Sequence, residues 1–84
     1  MIKCFNCEKS ATFFLTNTKK CLCDDCVNFV DLKDDKIYYR LKTLSGGGVG
    51  VFKTARTSLE KELLLEDFAS FQAAEKYAFA AMLY

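Results

Sequence analysis

The stretch CFNCEKSATFFLTNTKKCLCDDC, Cys4 to Cys26, holds all five cysteines of the chain and sets its architecture. Cys4 and Cys7 form one C-x2-C pair. Cys23 and Cys26 form a second after 15 intervening residues. That spacing suits a four-cysteine zinc site. Two thiolates three residues apart in a tight turn can share one ion at about 2.3 Å, and two such turns complete a tetrahedron. Cys4, Cys7, Cys23 and Cys26 are therefore the expected ligands of one structural Zn2+ per chain. Cys21 is the spare thiol. It is read either as a strand residue turned into the core or as a substitute for Cys23, in a less well-spaced C-x4-C pair. An odd cysteine count and a start, MIKCFNC, without an apolar h-region argue against a disulfide framework. The setting expected is a reducing, cytoplasmic one.

The residues between the pairs complete a small unit. In SATFFLTNTKKCLC, Thr12, Phe14 and Thr16 alternate with Phe13 and Leu15, which is the period of a strand. Asn17-Thr18-Lys19 is turn chemistry, and Lys20 to Leu22 return. DDCVNFVDL then reads as a short helix, with Asp24 and Asp25 at its positive end. Knuckle, hairpin and ligands at a helix start make a treble-clef arrangement. Four thiolates with Zn2+ sum to −2, and Lys3, Lys9, Lys19 and Lys20 are near enough in sequence to offset that locally.

On these residues, C-x2-C followed by a small residue and Thr, a strand and then L-C-x2-C, the chain resembles the N-terminal zinc modules of McsA-type adaptors in bacterial Clp protease systems. It is also similar to B-box and related treble-clef fingers. The resemblance covers residues 4–27. It implies a non-enzymatic binding module with Cys4, Cys7, Cys23 and Cys26 as ligands.

Outward from this unit, the chain of 84 residues is expected to form one domain, 1–84. Its subregions are the zinc module (1–30), a β-hairpin (36–56) and a C-terminal helical segment (57–84). Hydrophobic residues are 51% of the chain, which places it among globular rather than disordered proteins. A core this small gains from a metal or a partner subunit. DLKDD, residues 31–35, reads as a linker. KIYYRLKTL alternates Ile37, Tyr39 and Leu41 with Tyr38, Arg40 and Lys42. VGVFKTAR returns antiparallel after Ser45-Gly46-Gly47-Gly48, where glycine admits the positive φ of a turn.

GGGVGVFKT superficially resembles a phosphate loop. Aligned on Lys53-Thr54, the pattern requires glycine where Phe52 stands, and the strand-to-helix setting is missing, so no nucleotide is expected. In 57–84, Thr57 and Glu60 fit a capping box. Leu59, Leu63, Leu64, Phe68 and Phe71 recur at helical spacing. One long helix is the favoured reading. A break near Asp67–Ser70 with Ser70 as a second cap also fits, as does a strand over Leu63–Phe68. YAFAAMLY is apolar almost all round, which predicts burial against the rest of the chain, a second copy or a partner. The fold class expected is α+β: a treble-clef-like finger, a β-hairpin and a C-terminal helix or two helices.

Composition excludes much chemistry. There is no histidine, which removes the commonest general base, the Cys-His nucleophile pair and every His-containing metal site. No enzyme activity is expected, and no run approaches the length of a membrane span. The net charge of +1 hides an asymmetry. Residues 36–56 are basic without an acid, whereas 57–84 are mainly acidic. Two functions are compatible with this. One is a protein-interaction module acting as a regulator, adaptor or inhibitor, as small zinc proteins of bacteria and phages do. The other is nucleic-acid binding through Lys36, Tyr38, Arg40, Lys42, Lys53 and Arg56 on the hairpin.

Overall fold

The structure is a computed structural model that describes residues 2–29, 37–55 and 62–84. Within these described residues, five strands and one helix run in the order β1 (Phe13–Leu15), β2 (Cys21–Leu22), β3 (Ile37–Thr43), β4 (Val49–Ala55), β5 (Glu62–Phe68) and α1 (Phe71–Leu83), with a 3-10 turn at Cys26–Phe29. The strands form one antiparallel sheet in the order β2-β1-β3-β4-β5. The α+β class is as expected, built on a sheet larger than two separate hairpins.

β1 is buried along its whole length, through all three of its residues. Strand alternation sends Phe14 to one face of the sheet and Phe13 and Leu15 to the other. On the first face Phe14 joins Ala11, Cys21, Leu41 and Val51 under Ala74, Ala78 and Met82 of α1. On the second, Phe13 and Leu15 join Leu22 and Val27 around Cys4 and Cys23. The sheet thus separates two cores, one roofed by the helix and one by the cysteine module.

The hairpin forms as its pattern predicts, with Ile37 facing Ala55 and Thr43 facing Val49. Its turn is closed by Gly47 N donating to Leu44 O (3.0 Å) and Leu44 N donating to Gly48 O (2.7 Å). Gly47 has φ +96°, a left-handed conformation that glycine adopts without steric cost.

The C-terminal segment differs from the favoured reading. Residues 62–68 are a strand paired to β4, with Phe52 facing Leu64 and Val49 facing Phe68, and only Phe71–Leu83 is helical. The alternative strand over Leu63–Phe68 is the one that forms. The break falls where Ser70 was read as a cap: its side chain accepts from Ala73 N at 3.2 Å. The helix end is closed by Lys19 Nζ donating to Met82 O at 2.6 Å. The Thr57–Glu60 capping box and the 31–35 linker lie outside the described residues. After the second cysteine pair, the expected helix is a single 3-10 turn over Cys26–Phe29 within the described chain. Among the described residues no helix is long and apolar enough to cross a membrane.

Candidate metal centre

Both cysteine pairs sit in turns that the neighbouring backbone holds closed. In the first, Cys4 N donates to Lys9 O (2.8 Å), and Lys3 bridges to Ser10. In the second, Val27 N donates to Cys23 O (3.1 Å) and starts the 3-10 turn. The two turns are joined through the strand that precedes the second: Phe5 N donates to Cys21 O at 2.7 Å. As a result the sulfurs of Cys4, Cys7, Cys23 and Cys26 all lie within 4.8 Å of one another.

These distances fit a metal. A tetrahedron with metal–sulfur bonds of about 2.3 Å has sulfur–sulfur edges of roughly 3.8 Å. Cys7 Sγ and Cys23 Sγ are 3.5 Å apart, far beyond the roughly 2.05 Å of a disulfide. Two amides already point at sulfur: Asn6 N donates to Cys4 Sγ and Cys26 N to Cys23 Sγ, each at 3.4 Å. Such donors stabilise a thiolate.

The electrostatics favour a bound cation. Burial pushes the Cys4 thiol up, but the amides of Cys23, Asn6 and Cys7 outweigh it and leave it at about 6. The amide of Cys26 holds Cys23 below its ordinary value. Cys26, hydrogen-bonded to Cys23 and partly desolvated, is pushed up to about 12. At Cys7 the Lys9 amide acts downward, yet burial and the neighbouring Cys23 and Cys4 raise it. The two sulfurs held down by backbone amides thus hold the other two up, as coupled groups in one site do. A divalent cation removes that conflict and permits all four to ionise. The tetra-cysteine cluster can therefore hold a metal ion.

Cys21 is not part of the cluster. It is buried with the helix-side core, and burial, then the charge of Glu75, raise its thiol. Its lone sulfur faces away from the four ligands. The C-x4-C alternative has no support in this geometry.

The acids after Cys23 have roles the sequence did not reveal. Asp25 takes a hydrogen bond from Lys9 Nζ at 2.6 Å, tying one knuckle to the other. Lys9 holds the Asp25 carboxyl below its usual range, and Asp25 in turn raises Lys9. Both side chains are exposed, so the pair contributes orientation more than stability. Asp24 accepts from Thr12 Oγ1 at 2.5 Å. Lys9, one of the lysines expected to offset the thiolates, has its charge beside Cys23 and Cys7. Lys20 lies over the Phe5 ring, 5.1 Å from its centroid.

Of the residues proposed from sequence for nucleic acid, the four described, Tyr38, Arg40, Lys42 and Lys53, do not form one free basic face. Arg40 Nη1 donates to Glu62 Oε1 at 3.2 Å, and Lys42 pairs with the other oxygen of Glu62. Arg40 also stacks over Phe13 and Lys42 over Phe52. Tyr38 packs against Phe13 with ring centroids 5.6 Å apart. Lys53 stands opposite Tyr39 in the ladder, which puts it on the helix side, away from Tyr38, Arg40 and Lys42. Lys36 and Arg56 lie outside the described residues. Glu62 was not singled out in the sequence, because a residue read as helical gives no hint of two cations across a sheet.

Comparison with protein-family models, with curated proteins and with solved structures found no match. What the geometry supports is a metal-binding module of Cys4, Cys7, Cys23 and Cys26, and no match shows an McsA-type or B-box identity.

Proposed function

We propose that this chain is a non-enzymatic module in which one structural Zn2+ organises a surface that binds another protein. The convergence of four cysteine sulfurs from two knuckles carries the reading. Sulfur-only ligation at these distances suits zinc, and four protein ligands leave no open position at which water could be activated. Two features favour protein over nucleic acid as the partner. The hairpin cations Arg40 and Lys42 are both bound to Glu62, and apolar side chains remain exposed at Leu63, Leu64, Phe79, Leu83 and Tyr84. The outer side of α1 offers such contact to a partner or a second copy.

A native mass spectrum tests the metal, with one zinc per chain expected. Fluorescence anisotropy with single- and double-stranded oligonucleotides across a salt series tests the partner class. No salt-sensitive binding is expected at low ionic strength. Binding with a steep salt slope would transfer the function to the hairpin.

A further inference from the structure

β5 is the last strand of the sheet, and no other described strand lies on its outer side. A seven-residue edge offers a row of backbone donors and acceptors to an incoming strand. Its side chains are of two kinds. Leu63 and Leu64 are 63% and 46% exposed and project to opposite faces. On the metal side, Leu64 lies beside Phe52 and Leu44, whose side-chain ends crowd the space above Gly50. Farther along, Glu66 and Asp67 are exposed, and neither has an ion-pair partner among the described residues.

The acids decide what can pair there. Consider a second copy laid antiparallel on β5. Centred on Leu64, it sets Glu62 against Glu66 twice, and shifted by half a residue it sets Glu62 against Asp67. Centred on Leu65, it sets Leu63 against Asp67 and Leu64 against Glu66. Shifts toward Phe68 put Glu66 against itself, against Asp67 or against Leu65. Like charges directly opposite are destabilising, and so is an acid held against leucine. Each antiparallel register over five or more residues thus sets acid against acid or acid against leucine, whereas a basic strand meets neither conflict.

We infer that the β5 edge takes an extended peptide of a protein partner by strand addition, with basic residues opposite Glu66 and Asp67 and aliphatic ones opposite Leu63 and Leu64. This rests on the protein-interaction reading above and names its surface. Main-chain hydrogen bonds supply the pairing, and the two acids select the charge.

The test uses the full metal-loaded chain and a labelled ten-residue peptide with the core Lys-Lys-Thr-Val-Val. Antiparallel, that core faces Asp67, Glu66, Leu65, Leu64 and Leu63 in turn. Its controls are the Glu-Glu-Thr-Val-Val twin and a copy N-methylated at alternate residues. Anisotropy is expected to show saturable binding of the lysine peptide, at least tenfold weaker for either control. Glu66→Lys with Asp67→Lys, both exposed positions, is expected to reverse the preference toward the glutamate twin. Three results would overturn the inference: no saturable binding, equal binding of the methylated copy, or a dimer dissociated by Leu63→Lys. A partner protein whose binding survives the double charge reversal and Leu64→Lys would also overturn the edge while leaving the interaction reading standing. Salt-sensitive oligonucleotide binding would instead remove the reading itself.

Discussion

Cys21 and Cys23 are two residues apart, and regular strand alternation would put both on one face. The strand ends at Leu22, so its alternation does not extend to Cys23, which stands outside the strand just before the turn at Asp24–Asp25. Cys21 therefore stays under the helix while Cys23 reaches the metal side. Alternation alone could not separate them, which is why the spacing left a C-x4-C alternative open. Cys21→Ala is expected to retain one metal per chain at a cost of about 1 kcal/mol. Cys23→Ala is expected to lose the metal and, with it, folding free energy on the order of 10 kcal/mol. Metal stoichiometry by mass spectrometry, with thermal melting, checks both. A second contrast lies in the hairpin turn. A Cβ at Gly48 would stand 2.9 Å from the Phe68 carbonyl oxygen, a backbone atom, whereas at Gly46 it meets nothing within 4 Å. Gly48→Ala is expected to lose about 1–3 kcal/mol in urea titration, and Gly46→Ala well under 1.

Among the elements, the cysteine module and the hairpin were legible because each is defined locally. Cysteine spacing, a turn tripeptide and a two-residue period need no distant partner to be read. β5 was legible only as an alternative to helix, for the opposite reason. ELLLEDF has three consecutive leucines, which neither period claims, and its glutamates favour helix. What makes it a strand is the open edge of β4, a non-local surface, and a register shift between Val51 and Phe52 further blurs its alternation. Ser70 was legible because a cap is local. The pairing of β5 carries its own consequence. Burial raises the Glu62 carboxyl, but Lys42 and Arg40 outweigh it and hold it below its usual range. A depressed folded value gives stability that is present above the unfolded value of about 4.3 and lost as pH falls through the folded one. Glu62→Gln is expected to cost about 1 kcal/mol at neutral pH, and the difference from the wild type should shrink toward zero below about pH 4. The shrinkage is read over the pH range in which both proteins keep their metal. Paired melts across pH would show it.

At the scale of the whole molecule, the two cores are not independent, because β1 belongs to both. Phe14 supports the helix side, while Phe13 and Leu15 support the metal side. A second tie runs from the N-terminal segment to the helix: Ile2 N donates at 2.8 Å to Glu75 Oε2, and Glu75 is only 4% exposed. A buried carboxylate that lost this partner would carry an uncompensated cost. Releasing the metal frees both knuckles, and with them Ile2, one face of β1 and the short β2. What would remain is a three-stranded sheet with a helix resting partly on residues that no longer hold their place. Removal of the metal by a chelator is therefore expected to unfold the chain in a single transition, with helical circular dichroism and amide protection in α1 lost together with those of the module. Hydrogen exchange resolves the alternative directly. If α1, β3 and β4 kept their protection after the metal had gone, the helix-side core would be self-sufficient and the coupling through β1 and Glu75 would be refuted. Ile2→Pro, which removes the donor to Glu75 and leaves the cysteines intact, should weaken protection in α1 while one metal per chain remains bound, separating that tie from the contribution of the metal itself.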